Sequence, residues 1–228
     1  MEKDQRYAVA GLLMIVGALC YLSASMLASG DEDFGPETAD SVAAGIVAHP
    51  GNARFQEGLW ASGNVAFALV GLTMVGMPAR GARAIAWPLL ALQSGLHAFG
   101  SVLAATVGAD AALAGRIDEF RVYFGIHTSL DVLIPLTMLA FLALAVAEAR
   151  DGASRLPRWA NAGGAVAFAG SLIAVAGDHV FAVPAAGALY PLFIPALIWL
   201  TALGATQVRA ALAAPAPAPR ATFAAQER

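Results

Sequence analysis

Cysteine is almost missing from this chain: its 228 residues include one, Cys20, set inside an apolar run. A single thiol excludes an intrachain disulfide framework and a metal site built from thiolates. Charge is scarce as well. Asp, Glu, Lys and Arg make up 13% of the residues, where a soluble domain carries about a quarter. The net charge of −3 is too mild to point to nucleic acid. Histidine is limited to four positions, none in an HxxxH or HExxH spacing, so a compact metalloprotease-type zinc motif is excluded.

Apolar sequence takes the place of charge. Hydrophobic residues reach 59% and the mean hydropathy is +0.68. They fall in long blocks rather than an amphipathic pattern, and this marks a membrane protein. Six blocks are long enough to span: 8–28, 59–77, 84–108, 122–147, 159–181 and 189–208. Each approaches the ~20 residues a helix needs to cross ~30 Å of hydrocarbon. All are rich in Ala, Gly, Leu and Val, the composition that lets helices approach closely. The first block, behind "MEKDQR", is read as a span that stays in place rather than a cleaved leader, although "SAS" offers small residues. The expected fold is all-α: a single domain over 1–208 made of six transmembrane helices.

Basic residues orient it. With the N-terminus inside, Lys3, Arg6, Arg80, Arg83, Arg150, Arg155, Arg158, Arg209, Arg220 and Arg228 are cytoplasmic, and Arg54, Arg116 and Arg121 are outside. That positive-inside bias places both termini in the cytoplasm of a multi-pass cell-membrane protein. The stretch 209–228, with "APAPAPRATFAAQER", reads as a disordered cytoplasmic tail. The outer loop 29–57 contains a short amphipathic helix that starts at Pro36 to Thr38, carries Val42, Ile46 and Val47, and stops at "HPG". It caps the outer face or lies flat on it.

Within this topology the polar residues of the spans gather in the outer half, and the inner halves read as almost purely apolar. "GIHTSLDVLIPL" places His127 and Asp131 one turn apart on one face of span four. Gln93 and His97 share a face of span three. Asn64 lies two turns into span two, which Glu57 opens, and Asp178 and His179 close span five. Ionisable groups at such depth cost ~2.5–3.5 kcal/mol each on insertion scales and normally pair or face a cavity. An outward-facing cavity shared by Asp131, His127 and His97 is therefore expected. Blander roles remain open: His127 at headgroup depth, Asp178 and His179 as a helix end, Asn64 and Gln93 as interhelical hydrogen bonds, Glu57 paired with Arg54.

Three functional classes fit. In the first, a membrane-embedded enzyme carries out isomerase, cyclase or hydrolase chemistry on a small lipophilic substrate. Asp131, His97 and His127 exchange protons, while Asn64, Gln93, Glu57, Asp178 and His179 line the substrate. In the second, His97 and His127 hold heme b or a divalent metal. The third is a non-enzymatic membrane or transport subunit, for which the apolar inner halves offer no exit path. The expected partners are the lipid bilayer and a small lipophilic molecule, with no nucleic acid, and a homo-oligomer stays open.

"SVAAGIVAHPGNARFQEGL", "LPRWANAGGAV" and "LYPLFIPALIWLTAL" resemble a bacterial family of six-helix membrane proteins of unknown function, over nearly the whole chain. The likeness implies a fold rather than an activity. "ARFQEGLWASGN" to "GARAIAW" is similar, more locally, to the styrene oxide isomerases, which use heme b as a Lewis acid on epoxides. In that family a histidine near the start of this helix holds the iron. Gln56 stands at that position here, so the ligand is missing, while Asn64 falls near the family's substrate-orienting asparagine.

Overall fold

Inside hydrocarbon a backbone N–H or C=O has no water to bond, so an apolar segment satisfies its own backbone by coiling. The computed structural model describes residues 3–28, 38–151 and 156–213, and among these it is helical with no strand. The α-helices are α1 (Lys3–Ala28), α2 (Ala39–Ala48), α3 (Pro50–Val75), α4 (Ala82–Leu103), α5 (Ala109–Leu113), α6 (Ile117–Asp131), α7 (Ile134–Asp151), α8 (Arg158–His179) and α9 (Phe193–Leu212). A π-helical segment, Ala104–Gly108, joins α4 to α5, and a 3-10 segment, Pro184–Leu192, precedes α9.

Among the described residues six stretches are long and apolar enough to cross a membrane: Asp4–Leu27, Pro50–Val75, Ala82–Leu113, Ile117–Asp151, Arg158–His179 and Ala185–Leu212. The all-α bundle of six spans expected from the apolar blocks is what the chain forms. An even number of spans brings α1 and α9 to the same face at their free ends. We call this the terminal face and the opposite one the far face.

Several boundaries need correction. The second span begins at Pro50, not 59: Pro50 takes the first helical position, where its missing N–H had no partner anyway. Helix then runs through the polar "GNARFQEG", so 50–57 is not loop. The helix within that loop is α2, with Thr38 as N-cap in a capping box with Ser41; the rest of the expected loop, 29–37, lies outside the described residues. Residues 209–212, expected in the disordered tail, continue α9, and 214–228 lie outside the described residues. The fourth span is not one helix. It breaks at Val132 and Leu133, because Pro135, second in α7, leaves the Asp131 carbonyl without its usual i+4 donor. Leu133 N–H turns back to the Leu130 carbonyl at 3.0 Å instead.

The spans form a closed ring. α1 packs on α3, α3 on α4, α4 on α7, α7 on α8, α8 on α9, and α9 returns to α1. Aromatic side chains fill its centre: Trp60, Tyr21, Phe67, Phe141, Phe168 and Trp199 follow one another with ring centroids 4.6–5.8 Å apart. Edge-to-face and tilted pairs of this kind add to simple burial. Glycines set the closest crossings. A Cβ on Gly11 would lie 2.6 Å from the Gly204 carbonyl oxygen of α9, and one on Gly71 2.6 Å from the Trp87 carbonyl oxygen of α4.

α2 packs against the bundle. Its Ala43 and Ile46 join Ala109, Ala111 and Ala112 of α5 and Phe120 of α6 in a second core at the far face. Ion pairs edge it: Arg121 with Asp40 at 3.1 Å and with Asp118 at 2.9 Å, and Arg54 of α3 with Asp110 of α5. Exposed pairs like these add little to stability; the apolar contacts hold α2 in place.

Because the neighbours of Gly71 are backbone atoms that cannot move aside, Gly71→Val should force α3 and α4 apart at a cost of roughly 1–3 kcal/mol. A thermal melt in detergent should show a clear fall, whereas Gly95→Ala, with open space around it, should melt like the parent.

Candidate functional site

Asp131 is the last residue of α6, at the break in the fourth span. Its side chain is 18% exposed, and two imidazoles meet its two oxygens. His97 Nε2 of α4 lies 3.5 Å from Oδ1, and His127 Nε2, one turn back on α6, lies 3.8 Å from Oδ2. These are charge-contact distances rather than direct hydrogen bonds.

The shorter bond of His97 runs from Nε2 to the Leu130 carbonyl oxygen, at 3.1 Å. A carbonyl only accepts, so in this bond Nε2 donates its N–H. The break in the fourth span makes this contact available: the Leu130 carbonyl turns toward α4 within the tightened turn that ends α6. Gly100 lets the two helices close over the cluster. A Cβ there would come within 2.9 Å of Leu130 Cδ1 and 3.4 Å of His127 Nδ1.

Polar atoms without partners occur on the same elements. Gln93 Nε2 and Ser94 Oγ on α4 are buried, at residue exposures of 2% and 0%, with no hydrogen-bond partner. They stand four and three residues before His97, on the neighbouring turn of the same face. The Nδ1 of His127 is likewise buried and unbonded. Leaving such a group unpaired costs about 1–3 kcal/mol.

The other expected site residues fall in different places. Asn64 accepts a 2.6 Å hydrogen bond from the Tyr21 hydroxyl, and its amide donates to the Trp60 carbonyl at 3.0 Å. Tyr21 and Asn64 thus form a buried layer that ties α1 to α3. Glu57 is half-buried in the second turn of α3, and Arg54 reaches Asp110. Asp178 and His179, both exposed, gather on Tyr190: its hydroxyl donates to Asp178 Oδ2 at 2.7 Å and lies 3.4 Å from His179 Nε2. These contacts tie the end of α8 to the 3-10 segment that carries Tyr190.

Among the described residues, no three His, Cys, Asp or Glu side chains are gathered tightly enough to hold a metal ion. A porphyrin between His97 and His127 fits poorly too, because both rings converge on one carboxylate and α4 meets α6 at Gly100 with no room between them. A cleft of about 130 Å³ opens elsewhere, at the terminal face, lined by Val75, Met77, Ala79, Ala84, Trp87 and Pro88.

The terminal half of the bundle is not purely apolar, which corrects the sequence reading. Glu148 of α7 is buried and takes two bonds from Arg83 of α4, at 3.0 Å from Nε and 2.8 Å from Nη2. Asp151 takes a third, at 2.5 Å. Asn161 of α8 donates to the Glu148 carbonyl at 3.4 Å and accepts from Trp199 Nε1 at 3.2 Å. The signal was present in "AEARD" and "RWAN", where charge and amide sit just inside span ends.

No family model matches this chain, and neither a curated protein nor a solved structure does. Fold and site together define a multi-pass α-helical membrane protein with a His–Asp–His cluster at a broken span.

Removing Arg83 strands a buried carboxylate. Arg83→Met should therefore destabilise the bundle by about 3–5 kcal/mol, and adding Glu148→Leu should recover most of that loss. Thermal melts of the two variants check the cycle; equal melting temperatures for the single and double variants would show that the pair is not coupled.

Proposed function

We propose that the chain is a cell-membrane enzyme with both ends in the cytoplasm, doing acid–base chemistry on a small lipophilic molecule near the outer leaflet. The observation that carries this reading is the meeting of His97 and His127 on Asp131 where the fourth span breaks. Two imidazoles and a carboxylate brought together from α4 and α6 can take a proton from one atom of a bound molecule and return it to another. That is the core of an isomerisation, a cyclisation or a hydrolysis.

The roles divide by geometry. Asp131 is the proton acceptor, and His97, held in orientation by the Leu130 carbonyl, is its partner. His127 completes the relay on the far side of the carboxylate. Gln93 offers an amide N–H to an oxygen of the substrate. Asn64 is already bonded to Tyr21, so it positions that layer rather than the substrate. Glu57, Asp178 and His179 sit toward the outer rim.

Asp131→Asn keeps the shape of the side chain and deletes the titratable proton. In proteoliposomes supplied with small lipophilic carbonyl compounds, esters and cyclic ethers, the parent should convert at least one class. The variant should fold and lose about 10²–10⁴ of the rate. Full conversion by the variant, with a raised melting temperature from the cheaper burial of an amide, would leave Asp131 structural.

Orientation has its own check. In intact cells an impermeant maleimide should label Asp118→Cys and spare Arg80→Cys, both in a Cys20→Ser background; the reverse pattern would invert the topology.

A further inference from the structure

The described residues form two hydrophobic cores, and the polar cluster lies on the seam between them. The larger core draws on α1, α3, α4, α7, α8 and α9 and takes no residue from α6. The smaller one joins α2, α5 and α6 through Ala43, Ile46, Ala111, Ala112 and Phe120. Cores that pack separately open separately, as cooperative units of lower stability than the whole.

The links between the two units all depart from α-helix. α2 passes to α3 at His49, with φ −136° and ψ 64°. α4 passes to α5 through the π-helical Ala104–Gly108, and α6 passes to α7 through the turn at Val132 and Leu133. π segments and broken helices recur at functional sites and are where a helix bends at least cost. On the α3 side the small unit is anchored, since Ala53 packs into its core and Arg54 pairs with Asp110. On the α4 side it is held by the His97 contacts to Leu130 and Asp131 and by Leu130 against Gly100.

We propose that α2, α5 and α6 move as one cap, pivoting on α3, and that opening the α4–α6 seam admits a neutral lipophilic molecule bearing an acceptor oxygen. Its route is lateral, from the outer leaflet, past exposed Phe99 and Val102 of α4 and Ile126 of α6. Gln93 Nε2 and Ser94 Oγ, buried donors with nothing to bond, supply what such an oxygen lacks in lipid. The purpose of the motion rests on the acid–base reading of His97 and Asp131; the motion itself does not.

The seam provides its own lock. A Cβ on Gly100 would lie 3.8 Å from Leu130 Cβ, the separation typical of a disulfide, about 3.8 Å. In a Cys20→Ser background, Gly100→Cys with Leu130→Cys should oxidise readily. Amide exchange in lipid nanodiscs should then show residues 39–48 and 109–131 exchanging as a group when reduced. Oxidation should slow that group about tenfold, with α7 and α8 unchanged. Turnover, where the parent has it, should fall on oxidation and return with reductant.

Cap amides that exchange like those of α7, reduced or oxidised, overturn the proposal. The same holds for the parent protein, which needs no lock: one common rate across cap and bundle overturns it. Slowed exchange with undiminished turnover overturns the entry route. If the lock acts on exchange while Asp131→Asn leaves turnover intact, the acid–base reading fails and the cap motion stands.

Discussion

A carboxylate that leaves water for hydrocarbon must carry its compensation with it, because no solvent there will stabilise the charge. Two carboxylates of the fourth span, Asp131 and Glu148, face this constraint, and both meet it on α4. His97 takes Asp131 toward the far face, and Arg83 takes Glu148 at the terminal face. The third and fourth spans are thus clamped at two levels. Fourteen residues separate the two positions on α4 and seventeen on the fourth span, so at ~1.5 Å per residue the spacings differ by roughly 4–5 Å. The turn at Val132 and Leu133, with the long reach of Arg83, takes up the difference.

The two clamps are unlike in strength. Arg83 meets Glu148 at 2.8 and 3.0 Å, with Asp151 and the Asn161–Trp199 pair around it. The far clamp is looser: the imidazoles stand 3.5 and 3.8 Å from Asp131, next to donors that have no partner. A bundle held firmly at one face and loosely at the other concentrates its unused hydrogen-bonding capacity where the polar cluster sits. The same asymmetry separates the packed aromatic centre from the small core of α2, α5 and α6.

Much of this was legible in the residues. Six spans follow from block length, since the thickness of hydrocarbon is a fixed ruler. The meeting of His97, His127 and Asp131 follows from counting depth inward along two antiparallel neighbours. Other features left weaker traces. Pro135 stood in plain view within "LIPL", yet an apolar block does not reveal whether a proline kinks a helix or restarts it. Arg83 and Glu148 sit so near the span ends that each reads as a flank, and only packing shows the bond between them. Tyr21 counts as apolar in a hydropathy pattern, which hides the hydroxyl that engages Asn64. The start at Pro50 left no trace in hydropathy because a proline at the first helical position lets a helix begin in polar sequence, beyond the hydrocarbon.

The closed ring has a consequence for how the molecule is made. α1 leaves the ribosome well before α9, yet the two cross at Gly11 and Gly204 more tightly than side chains would allow. Until α9 is inserted, the seat beside Gly11 has lipid for an occupant, and the aromatic centre lacks Trp199. Membrane insertion and completion of the fold are therefore separate events in the life of this chain. During synthesis the nascent bundle is an open crescent whose first helix waits for its last.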